Sequence, residues 1–316
     1  MAGKILRCQS CIFIRLKIFL SVLGLFAIRF SFSQDTSNVA IRHFPLEELK
    51  GFSQTFYYSS GQEDRTRGIA KFMENAGQYF LQQVAFNPRV TLYILAPQDW
   101  KTFAAAPLKN VYGFPHNIDR TRLAIAAEDN DFWKSFLPPI DSIPPAIAVQ
   151  VKKAYGKDDG SYSMMPFFDL LALHEMGHSY TLQAGLKMHR YWMGELFVNI
   201  MLHTYIAEKQ PGLLPALEVF PAMVVGAGTA DYRFNSLQDF ERLYSTLGMG
   251  AKNYGWYQCK FHSAAKEIYN AGGKDVMVKL WNALKIHQEE MTDQEFAEML
   301  NREVHPSVAN VYWKWN

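Results

Sequence analysis

The chain is short of cysteine. It has three in 316 residues, and two of them, Cys8 and Cys11, fall within the first 33. Cys259 is left without a partner, so a disulfide framework beyond that segment is excluded. A metal site built on paired cysteines is excluded with it, and Cys259 itself reads as a small buried hydrophobe. Acidic residues are missing from 1–33, which carry five basic ones (Lys4, Arg7, Arg15, Lys17, Arg29). The apolar stretch from Ile18 to Ile28 follows, and Ser31-Phe32-Ser33 offers small residues for cleavage. This is the layout of a secretory signal peptide. The stretch is too short to span a bilayer, which needs roughly 20 residues. No cysteine closes it, so no lipid anchor is expected, and no second long apolar run occurs in the sequence.

A basic excess is absent too. Subtracting the five leader residues from 32 Lys+Arg leaves 27 against 30 Asp+Glu, a net charge of −3 over 34–316. Such a chain has nothing in surplus to neutralise phosphates, so nucleic acid is not an expected partner. Internal repeats and low-complexity tracts are also missing. The expectation is an exported chain, periplasmic or extracellular, with no stable membrane span after signal cleavage. At 49% hydrophobic and 15% aromatic residues it can build a substantial core.

What is present is a change of periodicity along the chain. Weak strand signals occur near Ile41 and Phe56. Ile69, Phe72, Met73, Ala76, Phe80 and Val84 recur at helical steps over 66–86, and Asn87-Pro88 ends that run. Val90 to Leu95 alternates as a strand does, Pro97 opens a short helix, and Arg122 to Ala127 is a second strand. Pro138-Pro139, Pro144-Pro145 and Lys157-Asp158-Asp159-Gly160 mark a long irregular stretch. From Pro166 the pattern is mainly helical. Thr292-Asp293-Gln294-Glu295 reads as a capping box before a late helix.

The sharpest signal is His174-Glu175-Met176-Gly177-His178, inside a strongly apolar helical stretch. Four-residue spacing puts both histidines on one helix face, one turn apart. Two imidazoles so placed can meet one zinc ion. Glu175 projects about 100° around the helix, where it can act as a base without ligating the metal. Gly177 is a poor helix former and suggests close packing at that point.

A catalytic zinc takes three protein ligands and keeps one position open. Thr181 and Ala184 stand where a metzincin would have its glycine and third histidine, so that class is excluded. His189, Glu195 and His203 are the downstream candidates. Glu195 stands out in Trp192-Met193-Gly194-Glu195-Leu196-Phe197-Val198-Asn199, which opens a second apolar helix. Asn199 is one turn beyond it and could hold a ligating histidine through that ring's other nitrogen.

With Trp192, Glu195, Phe197 and Val198 in register, this pattern resembles the gluzincins, which include thermolysin and the alanyl aminopeptidases. The resemblance is firm over 166–205. It implies zinc held by His174, His178 and Glu195, with Glu175 as general base. It also implies a Tyr or His stabilising the oxyanion after the third ligand. Tyr257 is favoured by its distance from Gly272-Gly273, with Tyr254 and His262 as rivals. Ala126-Ala127-Glu128-Asp129-Asn130 is the nearest match to the exopeptidases' amine-binding motif, which makes Glu128 the candidate substrate anchor.

The expected fold is therefore α+β, a zincin-like metallopeptidase domain. A mixed α/β lobe would span 34–165 and a helical lobe 166–316, with the motif helix between them. The expected activity is zinc-dependent hydrolysis of peptide bonds in a peptide or protein substrate. The alternative is a zinc-stabilised binding or scaffold domain without turnover.

Overall fold

The computed structural model describes residues 45–315 apart from 107 and 247. The expected signal segment, Cys8, Cys11 and the strand signal near Ile41 lie outside the described residues.

The fold is α+β, with a small sheet followed by a helical array. Five strands form the sheet: β1 (Glu47–Leu49), β2 (Thr55–Tyr58), β3 (Thr91–Leu95), β4 (His116–Asn117) and β5 (Arg122–Ala126). Their spatial order is β1-β2-β3-β5-β4. The three central strands run parallel, and both edge strands run antiparallel to their neighbours. β3 and β5 are buried along almost their whole length, which suits their continuous apolar composition.

Helix α1 (Glu63–Val84) makes the crossover between β2 and β3. Its buried residues Ile69, Met73, Ala76 and Phe80 are those whose spacing marks the helix in the sequence. Helix α2 (Pro97–Phe103) packs on β3 and β5, and α3 (Asp131–Lys134) and α4 (Pro145–Tyr155) follow β5 in the chain. The last of these falls where the sequence suggested irregular chain. Its proline pair is the reason: Pro145 sits in the first turn, where no backbone N–H is needed.

The helical part contains α5 (Met165–Ala184), α6 (Tyr191–Lys209), α7 (Leu214–Gly226), α8 (Leu237–Tyr244), α9 (Gly250–Gly272), α10 (Asp275–Ile286), α11 (Asp293–Met299) and α12 (Pro306–Trp313). The capping box before α11 is formed: Thr292 and Glu295 hydrogen-bond reciprocally. Helices α5 and α6 are apolar on most faces and accordingly buried, with the sheet on one side and α9 on the other. One core runs without interruption from Leu49 on β1 to Trp315 at the C-terminal end. The sheet and the helical array therefore share a single interior. Among the described residues, no helix is long and apolar enough to cross a membrane.

Candidate metal centre

Helix α5 starts beside the end of β5 and runs back along it. Near its start, Arg65 clamps Asp169 with two bonds of 2.5 and 2.7 Å, and the same guanidinium donates to the carbonyls of Ala126 and Ala127. Near its end, Gln183 bonds the backbone at Arg89 and Arg120. Those anchors fix the face that α5 turns toward α6.

The two helices are antiparallel and close. A Cβ at Gly177 would lie 2.8 Å from the Val198 side chain. Any larger residue there would force the helices apart, so the helix propensity lost at Gly177 is offset by what close approach allows. It brings His174, His178 and Glu195 together. One donor atom from each lies within 4.8 Å of the other two. The His174 Nε2 is 3.3 Å and the His178 Nε2 3.7 Å from Glu195 Oε2. These three residues could hold a metal ion.

The surrounding hydrogen bonds fix the orientation of His174 and Glu195. Asn199 spends its amide N–H on the Glu195 carbonyl at 3.0 Å. Its Oδ1 is thereby turned to His174 and accepts from Nδ1 at 3.0 Å. With the proton on Nδ1, the Nε2 lone pair of His174 faces Glu195 and the space between the ligands. Glu195 accepts from the Tyr244 hydroxyl at 2.5 Å on Oε1 and from Gln258 at 2.9 Å on Oε2. Burial alone would raise this carboxyl, but the His178 and His174 imidazoles outweigh it and hold it well below the usual carboxylate range. Among the described residues, no lysine or arginine pairs with Glu195, which is only 1% exposed. A buried carboxylate so placed calls for a cation, and the two imidazoles mark where it would sit.

Glu175 points elsewhere. Its side chain accepts from the Asn117 amide at 2.7 Å, and Asn117 also donates to the Glu175 carbonyl at 3.0 Å. Burial pushes the Glu175 carboxyl up to about 7, with the nearby Glu195 charge adding and His174 and Asn117 opposing. A carboxyl in that range can exchange a proton near neutral pH.

Tyr254, on α9, feels the same two carboxylates. Burial first, then the charges of Glu195 and Glu175, raise its hydroxyl well above the ordinary tyrosine range, so it stays a donor. Tyr257, which the sequence favoured, does not join them. Its hydroxyl donates to the Ser236 carbonyl at 2.7 Å, and its ring packs between Phe240 and Trp315. One turn of helix separates the two tyrosines closely enough that spacing from a glycine pair could not distinguish them. His262 is buried behind His174 with ring centroids 6.2 Å apart, and burial holds it well below the usual imidazole range.

The other candidates lie apart from the centre. His189 packs on Phe296 and bonds the His287 carbonyl. His203 pairs with Glu218 at 3.1 Å. Glu128 is exposed and accepts from Gln62 at 3.1 Å, beside the Arg65 cluster rather than at the ligands. Asn117, Tyr244 and Gln258 were not anticipated. Only Gln258 lay in a stretch the sequence singled out, and nothing in the motif ties Tyr244 or Asn117 to it.

No protein-family model, curated protein or solved structure matches the chain.

Proposed function

We propose that the protein is an exported zinc-dependent peptidase of gluzincin type, built on a zincin-like domain. The convergence of His174, His178 and Glu195, with Glu175 held just outside it, carries this reading. Two imidazole nitrogens and one carboxylate oxygen are a donor set that suits a catalytic zinc. When bound there, zinc supplies a positive charge that polarises a carbonyl and acidifies a water.

The chain's own residues supply the rest. Glu175 accepts the proton of the attacking water and delivers it to the leaving amine, a role suited to a carboxyl raised to about 7. Asn117 holds that carboxylate at the sheet edge. Tyr254 donates its hydroxyl hydrogen to the developing oxyanion. Asn199 keeps His174 in the tautomer that presents Nε2.

The test uses purified protein and a peptide library, with and without chelator. We expect about one zinc per chain and cleavage that chelator abolishes and zinc restores. Glu175→Gln should keep the zinc and lose at least about a thousand-fold in turnover. Undiminished cleavage by that variant would overturn the base assignment. Absence of cleavage in the wild type, with a large loss of thermal stability on chelation, would favour a metal-stabilised scaffold instead.

A further inference from the structure

Glu195 and Asn199 stand one turn apart on α6, and Tyr254 and Gln258 one turn apart on α9. The two helices run in the same direction, since Glu195 meets Gln258 and Glu208 meets Tyr269 further along. Gln258 reaches both partners on α6. Its Nε2 donates to Glu195 Oε2 at 2.9 Å, and its Oε1 accepts from Asn199 at the long distance of 3.5 Å. Tyr254 lies one turn before it on the same helix. A side-chain amide has a donor end and an acceptor end, and Gln258 spends one bond of each on α6.

We infer that Gln258 is a positioning residue for the metal centre, joining the third ligand and the partner of His174 through one amide. The inference rests on the metal reading above. The residue type matters. A lysine in this place would neutralise Glu195 and compete with the metal. Glutamine fixes the carboxylate with a neutral donor and leaves its charge free. The amide also ties the two helices at the level of the ligands, so a shift of α9 would move Glu195 and Tyr254 together.

The test measures zinc affinity by competition with a chromophoric chelator, together with thermal midpoints of apo and zinc-loaded protein. Gln258→Met preserves volume and removes both hydrogen bonds. Gln258→Asn keeps an amide but withdraws it from Glu195. Both variants should bind zinc about 10–100-fold more weakly than wild type, and zinc should raise their midpoints by less. A purely structural role would lower the apo and zinc-loaded midpoints equally and leave the gap intact. Should Gln258→Met fail to fold, Gln258→Asn decides. Affinity within twofold of wild type in the folded variants overturns the inference while the metal reading stands. A wild-type protein that takes up no zinc overturns both.

Discussion

On one side of α5, His174 and Gly177 face α6, where Asn199 is fully buried, Glu195 nearly so, and Val198 leaves no room for a Cβ on the facing glycine. On the other side, the half-buried Glu175 faces β4, a two-residue edge strand from which a single amide, Asn117, holds it. The α6 side is a close-packed helix interface, with hydrogen bonds holding both His174 and Glu195. The Glu175 side hangs on one residue at the margin of a sheet. Metal affinity and proton transfer should therefore respond to different mutations, although Glu175 and His174 are chain neighbours.

The largest effect should come from the helix side. Glu195→Gln keeps the shape of the ligand and removes its charge. Loss of one partner from a buried charged site costs about 4 kcal/mol, roughly a thousand-fold in affinity. Zinc competition on the purified variant should show that loss, with the helix content unchanged by circular dichroism. An affinity near wild type would mean that Glu195 is a buried structural carboxylate and that the centre lies elsewhere.

A smaller and different effect belongs to the sheet side. Asn117→Ala removes both bonds to Glu175 without touching a ligand. Turnover should fall by about 10–100-fold, through kcat rather than KM, while zinc affinity stays at the wild-type value. Were zinc affinity to fall in parallel, the two sides of α5 would be one unit and the contrast between them would fail.

The same contrast explains what could be read from the sequence. His174, His178, Glu195 and Asn199 sit on two helices, where spacing decides which side chains share a face, so what each helix offers follows from local geometry. Gly177 was legible for a similar reason, since a costly residue in a buried helix marks close approach. Asn117, Tyr244 and Gln258 reach the centre from three other elements, 49 to 63 positions from their partners for the two that touch Glu195 and 58 for Asn117. No periodicity encodes such pairings; tertiary packing sets them. That Tyr257 faces Ser236 and Phe240 was not legible, because register within α9 depends on where that helix meets α6 and α8. Helix α4 was missed because paired prolines signal a loop and a helix start equally well. The sheet was legible where its strands are buried, at β3 and β5, and not at β4, whose two residues have no pattern to show.

The smallest expected effect concerns how the sheet edge yields to acid. His116 precedes Asn117 on β4 and is buried. Its Nε2 accepts from the Ala105 N–H at 3.0 Å, so its Nδ1 carries the proton given to the Phe114 carbonyl at 2.7 Å. Both nitrogens are committed in the neutral form, and burial lowers the ring to about 4 from its ordinary 6.5. Between those values the unfolded chain binds a proton that the folded chain refuses, so stability falls as pH drops through this window. The loss approaches about 3 kcal/mol at its limit and about 1 kcal/mol at pH near 5.5. His116→Gln retains a donor and an acceptor but cannot charge. In urea unfolding of chelator-treated protein, its stability difference between pH about 7.5 and 5.5 should be smaller than wild type's by about 1 kcal/mol. Removing the metal first keeps proton competition at the ligands out of the measurement. An identical pH slope in variant and wild type would show that β4 stays folded and neutral for some other reason. A reduced slope would show that acid acts on the strand holding Glu175 through His116, on the side of α5 that lacks the helix interface.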